Sequence, residues 1–500
     1  MKGRVLPLAL LLLIITRFVG IAWGYPFLLH PDERNMADAI SRLTLDDGLN
    51  PHFFAYGQLP LYLVWIGYAV KSLSLSPLID SWQAALGLRI LSATVSVASG
   101  WIVYRLLLRE NRSPTVALTG LLLWIATPVF IQFAHFGTTE SLLAFLLLCT
   151  LWFRKSKLIT ALVIGLAIGI KISAVVLLAI PLYEWWHTRS IKQLVLLGMT
   201  TVLFVFIASP HYFFSYPEAL SSLTYESNVG RGITKVFYTY QFEHANRLLF
   251  PFVSIFPYAL GLPLFFVTIS QLPYAWKHHR LQVILLLVFF LSVLPLYTQW
   301  TRFYVFVFVM ALLIAAAAGR RLKYLYGLML VAHLVVGLSY LNVYLQPDTR
   351  ISASVWIKEN LKEGSSFLTE SANVILVPFT VPQHSVLSEL YLFDSEQNPE
   401  VMKTLKERLT TVDYVVVPSR RVFANYTCAY GNQSHSQEIC DCLRTEHPTL
   451  HWYYEELLGS RWNEIARFET KHWGLPDEFA EETWSVFDHP IVRVYGRHSP

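Results

Sequence analysis

Two adjacent carboxylates, Asp32 and Glu33, follow the first long apolar run of the chain, within the stretch His30-Pro31-Asp32-Glu33-Arg34. A helix that leaves a bilayer does not need acidic residues at this place. A carboxylate there can accept a proton from a reacting group, and Asp and Glu often act as general bases. The pair therefore indicates an active site at a membrane surface. As alternatives, the pair belongs to a solvated loop, or Asp32 caps a short helix that follows it.

Transfer of a sugar from a lipid phosphate to a hydroxyl is one reaction that such a base serves. The acceptor hydroxyl loses a proton as it attacks the anomeric carbon, and a carboxylate takes that proton. The leaving group is already a phosphate anion, so it needs a cation and not an acid. Four basic residues are expected at outer helix ends or at a helix break: Arg34, Arg89, Lys171 and Arg302.

Lys171 is the most informative of these cations. It lies inside a long apolar stretch, where a charge costs on the order of 3 kcal/mol on insertion scales. Arg89 and Arg302 have a simpler alternative, because basic side chains near helix ends extend to the interface. Four further polar residues on the same expected face are candidates for contacts with the acceptor: His135, Glu140, His211 and Glu226.

The composition is that of a membrane protein. The chain has 500 residues, of which 54% are hydrophobic and 15% charged, with a mean hydropathy of +0.44. Soluble proteins carry about 25% charged residues. Residues 1–344 have a formal charge of +13 and residues 345–500 one of −8. Because the basic charge lies in the membrane part, nucleic acid is not an expected partner, and the acidic tail is expected to face water.

Clusters of Lys and Arg recur between the apolar runs, and such clusters mark cytoplasmic loops. They predict about eleven spans with the amino terminus inside. Basic residues stand both before and after 158–184, which predicts a hairpin of two short helices broken near Gly169-Ile170-Lys171; a single tilted helix is the alternative. The expected spans are 6–25, 83–108, 115–134, 139–153, the two arms of 158–184, 193–209, 251–270, 281–298, 302–318 and 324–344.

This topology places three segments on the outer face together with Asp32. They are a first outer loop at about 26–80, a second at about 210–250, and the tail from 346. In the first loop, Met36–Leu43 is expected to be a short helix. The aromatic stretch 61–73 is expected to lie along the interface, because Tyr and Trp concentrate there.

The tail has the pattern of a small α/β domain. Helices are expected over 352–361 and 399–409, and strands over 374–377, 414–417 and 491–495. In an oxidising compartment Cys428 would pair with Cys440 or Cys442. A zinc site that includes His435, and free thiols, are the alternatives. Asn425 and Asn432 begin glycosylation sequons, which matter only in a secretory pathway.

Several motifs, taken in order, resemble the C-type glycosyltransferase superfamily (GT-C), and within it the protein O-mannosyltransferase and aminoarabinose-transferase relatives. The resemblance covers nearly the whole chain and depends on the order of the motifs more than on any one of them. The motifs are Pro31-Asp32-Glu33, Tyr56-Gly-Gln-Leu-Pro-Leu-Tyr-Leu, Leu88-Arg89-Ile-Leu-Ser-Ala, Gly165-Leu-Ala-Ile-Gly-Ile-Lys171, Thr301-Arg302-Phe-Tyr, Ser354-Val-Trp-Ile-Lys-Glu-Asn and Phe487-Asp-His-Pro.

The resemblance implies an α-helical polytopic membrane protein with about 11 transmembrane helices. Residues 1–345 would form the catalytic membrane domain, and residues 346–500 a small extracytoplasmic α/β domain. Asp32 would be the general base, and Glu33 would support it or bind metal. Lys171 would hold the donor phosphate, and Arg89 would make a structural or donor contact.

The resulting prediction is a membrane glycosyltransferase that moves a monosaccharide from a polyprenyl-phosphate donor to an acceptor hydroxyl on the outer face, with inversion. The acceptor would be a lipid, a glycan or a protein. The sequence establishes no cofactor, and a divalent Mg²⁺ or Mn²⁺ at Asp32 and Glu33 stays open. The expected location is the plasma (inner) membrane, with the active site extracytoplasmic. The alternatives are a carrier or flippase, which a Lys in a broken helix also suits, and a non-catalytic membrane subunit.

Overall fold

Helices make up most of the first 345 residues in the computed structural model, which describes residues 2–74, 76–111, 113–317, 323–371, 379–428, 437–459 and 461–497. The α-helices of this part are Lys2–Phe18, Pro31–Ser41, Leu59–Ser72, Ser81–Asn111, Pro114–Ala126, Pro128–His135, Glu140–Phe153, Lys157–Ile170, Ala179–Thr188, Ile191–Ala208, His211–Phe214, Tyr216–Arg231, Phe256–Ala259, Leu262–His278, Arg280–Val293, Val305–Ala317, Lys323–Tyr340 and Asn342–Leu345. Turns of 3₁₀-helix occupy Ile172–Leu178, Phe237–Phe242 and Thr301–Tyr304, and a π-helical turn occupies Pro251–Ile255.

Three described helices are long and apolar enough to cross a membrane. They are Ser81–Glu110, Ile191–Ala208 and Tyr326–Leu345, and the number rises to five if each of two bent helix pairs counts as one span. Shorter apolar helices stand at most of the other places where spans were expected. The count of eleven therefore stays a prediction.

Two of the expected spans are not single helices. The helix over 115–134 bends by 57° at Thr127, because Pro128 has no N–H and forces the residue before it into an extended conformation. The expected span over 251–270 is not a continuous helix. Two helices meet there at 114°, and the chain turns at Gly261, whose φ of 72° suits glycine.

The segment 158–184 reverses direction, as the hairpin hypothesis requires. The helix Lys157–Ile170 ends at Lys171, whose backbone is extended. The chain then returns through Ile172–Leu178 and Ala179–Thr188. Arg154, before the first arm, reaches Glu184 in the second arm, with 3.5 Å between Nη1 and Oε1. A single straight helix would hold these two residues roughly 40 Å apart, so the two ends of the segment lie at the same end of the bundle.

The helix ends near Arg109, Arg154 and Arg280 come together at that end. Arg109 donates to the carbonyl of Trp152, and Gln282 donates to Glu110. The two outer loops meet each other elsewhere, where Asn50 donates to Ser215. This pairing is the one expected from alternating loops.

The helix Val305–Ala317 is the centre of the bundle, and all of its residues are buried. It packs against the helices Leu262–His278, Arg280–Val293 and Pro114–Ala126. A helix that is apolar all round needs such complete burial. The 3₁₀ turn that precedes it carries Arg302 and is held by this packing.

The first helix of the outer loop begins at Pro31, five residues before the expected start. Pro31 occupies the first helical position, and Asp32 and Glu33 fall in the first turn. Pro at the first position and acidic residues in the first turn both favour a helix start. His30 is the N-cap, with its Nδ1 accepting from the N–H of Glu33. The alternative in which Asp32 caps the helix is therefore wrong.

The tail folds around a mixed five-stranded sheet. Its strands are β1 Ser366–Glu370, β2 Val386–Leu390, β3 Tyr414–Val417, β4 Trp462–Phe468 and β5 Val492–Arg497. Their order in the sheet is β2-β1-β3-β5-β4. β1 pairs in parallel with β2 and with β3, and β5 pairs antiparallel with β3 and with β4. The helices of the tail are Thr349–Asn360, Pro399–Thr411, Phe423–Tyr426, Gln437–Glu446, Pro448–Leu458 and Glu482–Ser485, with 3₁₀ turns at Leu392–Asp394 and Asp477–Phe479.

Both expected helices and two of the three expected strands of the tail are present. The third, at 374–377, lies outside the described residues, as do Asn432 and His435. Cys428 is joined to Cys440 by a disulfide, and Cys442 is free. Among the cysteine alternatives, the structure therefore has the Cys428–Cys440 bridge.

Candidate active site

A cavity of about 1400 Å³ opens between the two outer loops, the hairpin, the central helix and the tail. Its lining is polar towards the outer loops, where Asp32, Lys171 and Arg302 contribute to it. Its other end is apolar, and the residues there come from the hairpin and from the helices Arg280–Val293 and Val305–Ala317. The cavity can therefore hold a molecule with a charged head and an apolar chain.

The first turn of the helix Pro31–Ser41 places Asp32 at the polar end. Its Oδ2 accepts a hydrogen bond from the hydroxyl of Tyr56 at 3.2 Å and forms an ion pair with Nη1 of Arg302. Among the described residues, its other oxygen, Oδ1, has no hydrogen-bond partner. Because about a fifth of the side chain is exposed to the cavity, a bound molecule can reach that oxygen.

Charges around Asp32 determine its ionisation. Burial alone would raise the pKa of the carboxyl, but Arg302, with His30 and Lys171 further away, outweighs burial and holds that pKa below its ordinary value. Asp32 is therefore a carboxylate at neutral pH and can accept a proton.

Lys171 stands at the tip of the hairpin, where the helix Lys157–Ile170 ends. Its Nζ lies 3.4 Å from Oε1 of Glu140 and above the rings of Tyr56 and Phe303, at 5.3 and 5.4 Å from their centroids. Glu140 begins the helix Glu140–Phe153 and is almost fully buried. An apolar helix can hold a cation here because the carboxylate and the two rings compensate its charge.

The first outer loop fastens this tip. The N–H of Gly57 donates to the carbonyl of Ile170 at 2.8 Å, and Oγ of Ser209 donates to the carbonyl of Gly169 at 2.6 Å. The last carbonyls of a helix lack partners within the helix, and these two bonds supply them. A side chain on Gly57 would place its Cβ 1.5 Å from the oxygen of Gly169. The loop can approach the tip this closely only because residue 57 is glycine.

The tail holds the turn that carries Arg302. Oε2 of Glu481 accepts bonds from the N–H and the hydroxyl of Thr301, at 3.1 and 2.9 Å. The guanidinium of Arg302 lies above the ring of Trp300, 4.9 Å from its centroid. Among the described residues, Nε of Arg302 is buried without a hydrogen-bond partner. Arg302 therefore keeps donor capacity beyond its contact with Asp32.

Glu33 and Arg89 form a separate pair that does not line the cavity. Both side chains are fully buried, and Nη2 and Nε of Arg89 donate to the two oxygens of Glu33 at 2.6 and 2.9 Å. Glu33 also accepts from the N–H of Gly137, and Arg89 donates to the carbonyls of Ile21 and Trp23. Each guanidinium nitrogen of Arg89 and each carboxylate oxygen of Glu33 has a hydrogen-bond partner. These contacts favour the structural alternative expected of Arg89. The supporting or metal-binding role expected of Glu33 stays a prediction.

The remaining candidates divide between the cavity and the scaffold. Glu226 lines the cavity, whereas Arg34 is exposed outside it. His135 is buried, bonds to the carbonyls of Ile131 and Val19, and stacks on Tyr344. Nε2 of His211 bonds to the carbonyl of Gly48 at 3.0 Å. Neither histidine lines the cavity, because backbone groups that need partners occupy both rings.

Four residues that were not expected contribute to the site. Tyr56 belongs to a quoted motif, and it bonds to Asp32. Arg421, Thr483 and Phe487 of the tail line the cavity more than 380 residues along the chain from Asp32. Phe487 lies in the Phe-Asp-His-Pro stretch, which was the only sequence signal for it. No local sequence pattern predicts a contact between residues so far apart along the chain.

Asp32 and Glu140 are poor ligands for a divalent metal in this arrangement. Asp32 faces Arg302, and Glu140 faces Lys171, so cations of the protein already neutralise both. Mg²⁺ and Mn²⁺ need several free oxygen ligands. Within the described residues, the groups of three His, Cys, Asp or Glu side chains with converging ligand atoms lie in or against the tail: His244, Cys442 and Glu446, and His472, Asp477 and His489. No step is therefore derived through a metal.

Comparison with known proteins finds similar structures at low identity. One is ArnT from Cupriavidus metallidurans bound to undecaprenyl phosphate, with 14% identity and a TM-score of 0.48, over 99% of this chain and 97% of that one. Another is the oligosaccharyltransferase AglB from Archaeoglobus fulgidus in complex with an inhibitory peptide and a dolichol-phosphate, with 14% identity and a TM-score of 0.41, over 86% of this chain and 70% of that one.

No family model matches the sequence, and no curated protein matches it by sequence. A likeness of this degree says nothing about substrate or activity, so those follow from the geometry of the site.

Proposed function

We propose that the chain is a membrane glycosyltransferase that uses a polyprenyl-phosphate-linked monosaccharide as donor. One observation carries the proposal: a carboxylate, Asp32, and two cations, Lys171 and Arg302, meet at the polar end of a cavity whose other end is apolar. A flexible apolar chain attached to a phosphate fits both ends of such a cavity.

In the proposed reaction the donor phosphate lies against Lys171 and Arg302. Oδ1 of Asp32 takes the proton from the acceptor hydroxyl, and the oxygen of that hydroxyl bonds to the anomeric carbon. The bond between that carbon and the phosphate oxygen breaks, and its electron pair leaves with the polyprenyl phosphate. Lys171 and Arg302 stabilise the charge that develops there.

The position of Arg302 couples donor binding to the base. In the free protein Arg302 lowers the pKa of the Asp32 carboxyl. When a donor phosphate shares the guanidinium, this effect weakens and the pKa of Asp32 rises towards its ordinary value. The carboxylate becomes a better base when the donor is in place.

A single displacement inverts the anomeric configuration, because the acceptor attacks on the face opposite the leaving phosphate. Retention in the product would contradict a one-step mechanism. We place the cavity and the tail on the outer face of the plasma (inner) membrane, since the basic clusters gather at the opposite end of the bundle.

The first test replaces Asp32 by Asn, which keeps the shape and removes the base. Asp32→Asn is expected to lower sugar transfer from a labelled polyprenyl-phosphate sugar by about 10²- to 10⁴-fold, with donor binding retained. Asp46→Asn is the matched control, because Asp46 is exposed in the same loop and does not line the cavity.

The same experiment tests the carrier alternative. If wild type and Asp32→Asn move labelled lipid across vesicles equally well and neither transfers sugar, the proposal is wrong and the protein is a carrier. Equal transfer by both proteins would remove Asp32 as the base.

A further inference from the structure

One wall of the cavity is formed by the helix Tyr216–Arg231 of the second outer loop. Glu218, Ser222 and Glu226 stand four residues apart on it, and Ser221 and Tyr225 form a neighbouring row. Residues at these spacings share a helix face, and all five line the cavity. We call this face the hydroxyl-carboxylate wall.

The wall carries carboxylates, whereas the part of the cavity proposed to bind the donor phosphate carries the cations Lys171 and Arg302. Glu218 bonds to His52, with 3.1 Å between its Oε2 and Nδ1. Among the described residues, Glu226 has no hydrogen-bond or ion-pair partner. Burial raises the pKa of the Glu226 carboxyl, and Arg302 lowers it by a smaller amount. Because no described residue occupies its oxygens, the Glu226 carboxylate offers both of them as acceptors to a ligand, and the wall disfavours a ligand that brings further negative charge.

The wall also carries an aromatic surface. Tyr225 is about 45% exposed, and its hydroxyl lies 3.5 Å from that of Tyr238, which also lines the cavity. Carboxylates and serine hydroxyls pair with the hydroxyls of a sugar, while exposed aromatic faces cover its C–H faces. The combination suits a saccharide.

A peptide acceptor fits the wall less well. Extended peptides commonly bind by adding a strand to an exposed sheet edge. Among the described residues that line the cavity, none belongs to any of the five strands. A helix has its backbone groups paired internally, so only side chains of the wall are available to a ligand.

We infer that the acceptor is an uncharged saccharide, whose hydroxyls bind Glu226 and the serines of the hydroxyl-carboxylate wall. This inference rests on the proposed function for the transfer step, but binding of the saccharide does not depend on transfer. Two measurements therefore separate the two claims.

The experiment uses the full-length protein in lipid nanodiscs with a polyprenyl-phosphate-linked hexose. Three probes are compared: a neutral hexose oligosaccharide, the same oligosaccharide carrying a phosphate, and a serine-containing peptide. Transfer to each is measured, and saturation-transfer NMR without donor measures their binding. The neutral oligosaccharide is expected to bind and to be the best acceptor, by about tenfold or more over the other two.

The variant Glu226→Gln keeps the size of the side chain and removes its charge. It is expected to raise KM for the neutral oligosaccharide about tenfold, with kcat reduced less, because a charged hydrogen-bond acceptor of the bound sugar is lost. Thr224→Ala is the matched control, since Thr224 is exposed on the same helix and does not line the cavity.

The outcomes distinguish the two claims. If the oligosaccharide binds and Glu226→Gln weakens it, but donor is neither transferred nor hydrolysed, the inference holds and the proposed function fails. If transfer occurs but the phosphorylated oligosaccharide or the peptide is preferred, the proposed function stands and the inference is overturned. Absence of any binding or transfer with the neutral oligosaccharide also overturns it.

Discussion

Residue type alone does not assign a role to the two adjacent acids. Asp32 and Glu33 differ by one methylene and by one position, yet the helix that contains them directs them to different sides. Asp32 faces the cavity, and Glu33 faces Arg89 in the core. Successive residues of a helix point about 100° apart, so one of two neighbouring carboxylates is exposed to substrate and the other is buried.

The pH dependence of turnover follows from the environment of Asp32. Since Arg302 holds the pKa of the Asp32 carboxyl below its ordinary value, the free protein keeps its base deprotonated down to low pH. We expect kcat/KM, which reports the free enzyme, to stay level from pH 7 to about 5 and to fall only at or below the ordinary carboxyl range near pH 4. An acid limb centred near pH 6 would contradict this assignment.

Two short elements determine where the donor cations stand. The hairpin brings Lys171 to its tip, and the first outer loop covers that tip at Gly57. The loop and the tip are more than 110 residues apart in sequence. Their contact therefore depends on the packing of the bundle and not on local preference.

A side chain at residue 57 should disturb the tip. In Gly57→Ala the new Cβ would overlap the oxygen of Gly169, so the loop and the tip must separate and Lys171 must move. We expect donor affinity to fall about tenfold or more, measured by binding of labelled polyprenyl phosphate to the purified protein.

Gly67→Ala is the matched control for that variant. A Cβ at Gly67 meets nothing within 4 Å, and the residue lies inside the helix Leu59–Ser72. Ala there should raise stability by roughly 0.5–1 kcal/mol with donor affinity unchanged. Normal donor affinity in Gly57→Ala would show that the tip does not depend on this contact.

At the scale of the whole molecule, the tail is part of the site. It contributes residues to the cavity and holds the turn of Arg302 through Glu481. A second contact between the tail and the membrane part is a row of buried ionic side chains. Asp488 accepts from the hydroxyl of Tyr344 at 2.7 Å, His489 lies between Asp488 and Asp477, and His472 bonds to Asp477 at 3.0 Å.

These ionic side chains make the docking of the tail sensitive to pH. Burial alone would lower the pKa of His489, but Asp488 and Asp477 outweigh burial and raise it to about 10. A raised pKa means that the charged imidazole stabilises the folded state fully below its ordinary pKa near 6.5, and that this contribution is lost as pH rises through about 10. We expect the unfolding temperature of the full chain to fall from pH 6.5 to 10.

The variant His489→Asn should remove most of this pH dependence. It keeps a donor for Asp488 and cannot carry charge. His384→Asn is the control, because His384 is exposed in the tail and Asn tolerates its positive φ of 60°. If the unfolding temperature declines equally with pH in both variants, a group other than His489 causes the decline. The readout is thermal unfolding in detergent together with limited proteolysis of 469–481.

Much of the architecture can be predicted from the sequence, because it depends on long signals. Apolar runs, basic clusters and proline positions placed most helices within a few residues, and two-sided basic flanks at 158–184 predicted the hairpin. Asp32, Lys171 and Arg302 were expected for the same reason: a charge beside an apolar run is expensive and rarely incidental. The bend at Gly261 was missed, since a glycine inside an apolar run is compatible with a continuous helix.

The chain by itself therefore determined the elements and the residue types that chemistry needs, through hydrophobicity and charge acting over one span at a time. Only the tertiary structure decided which charges meet. It paired Glu33 with Arg89 away from the cavity, brought Asp32 to Arg302 across 270 residues, and added Phe487 and Arg421 of the tail to the lining. Such contacts are selected by complementarity between buried charges after packing, and no local pattern in the sequence encodes them.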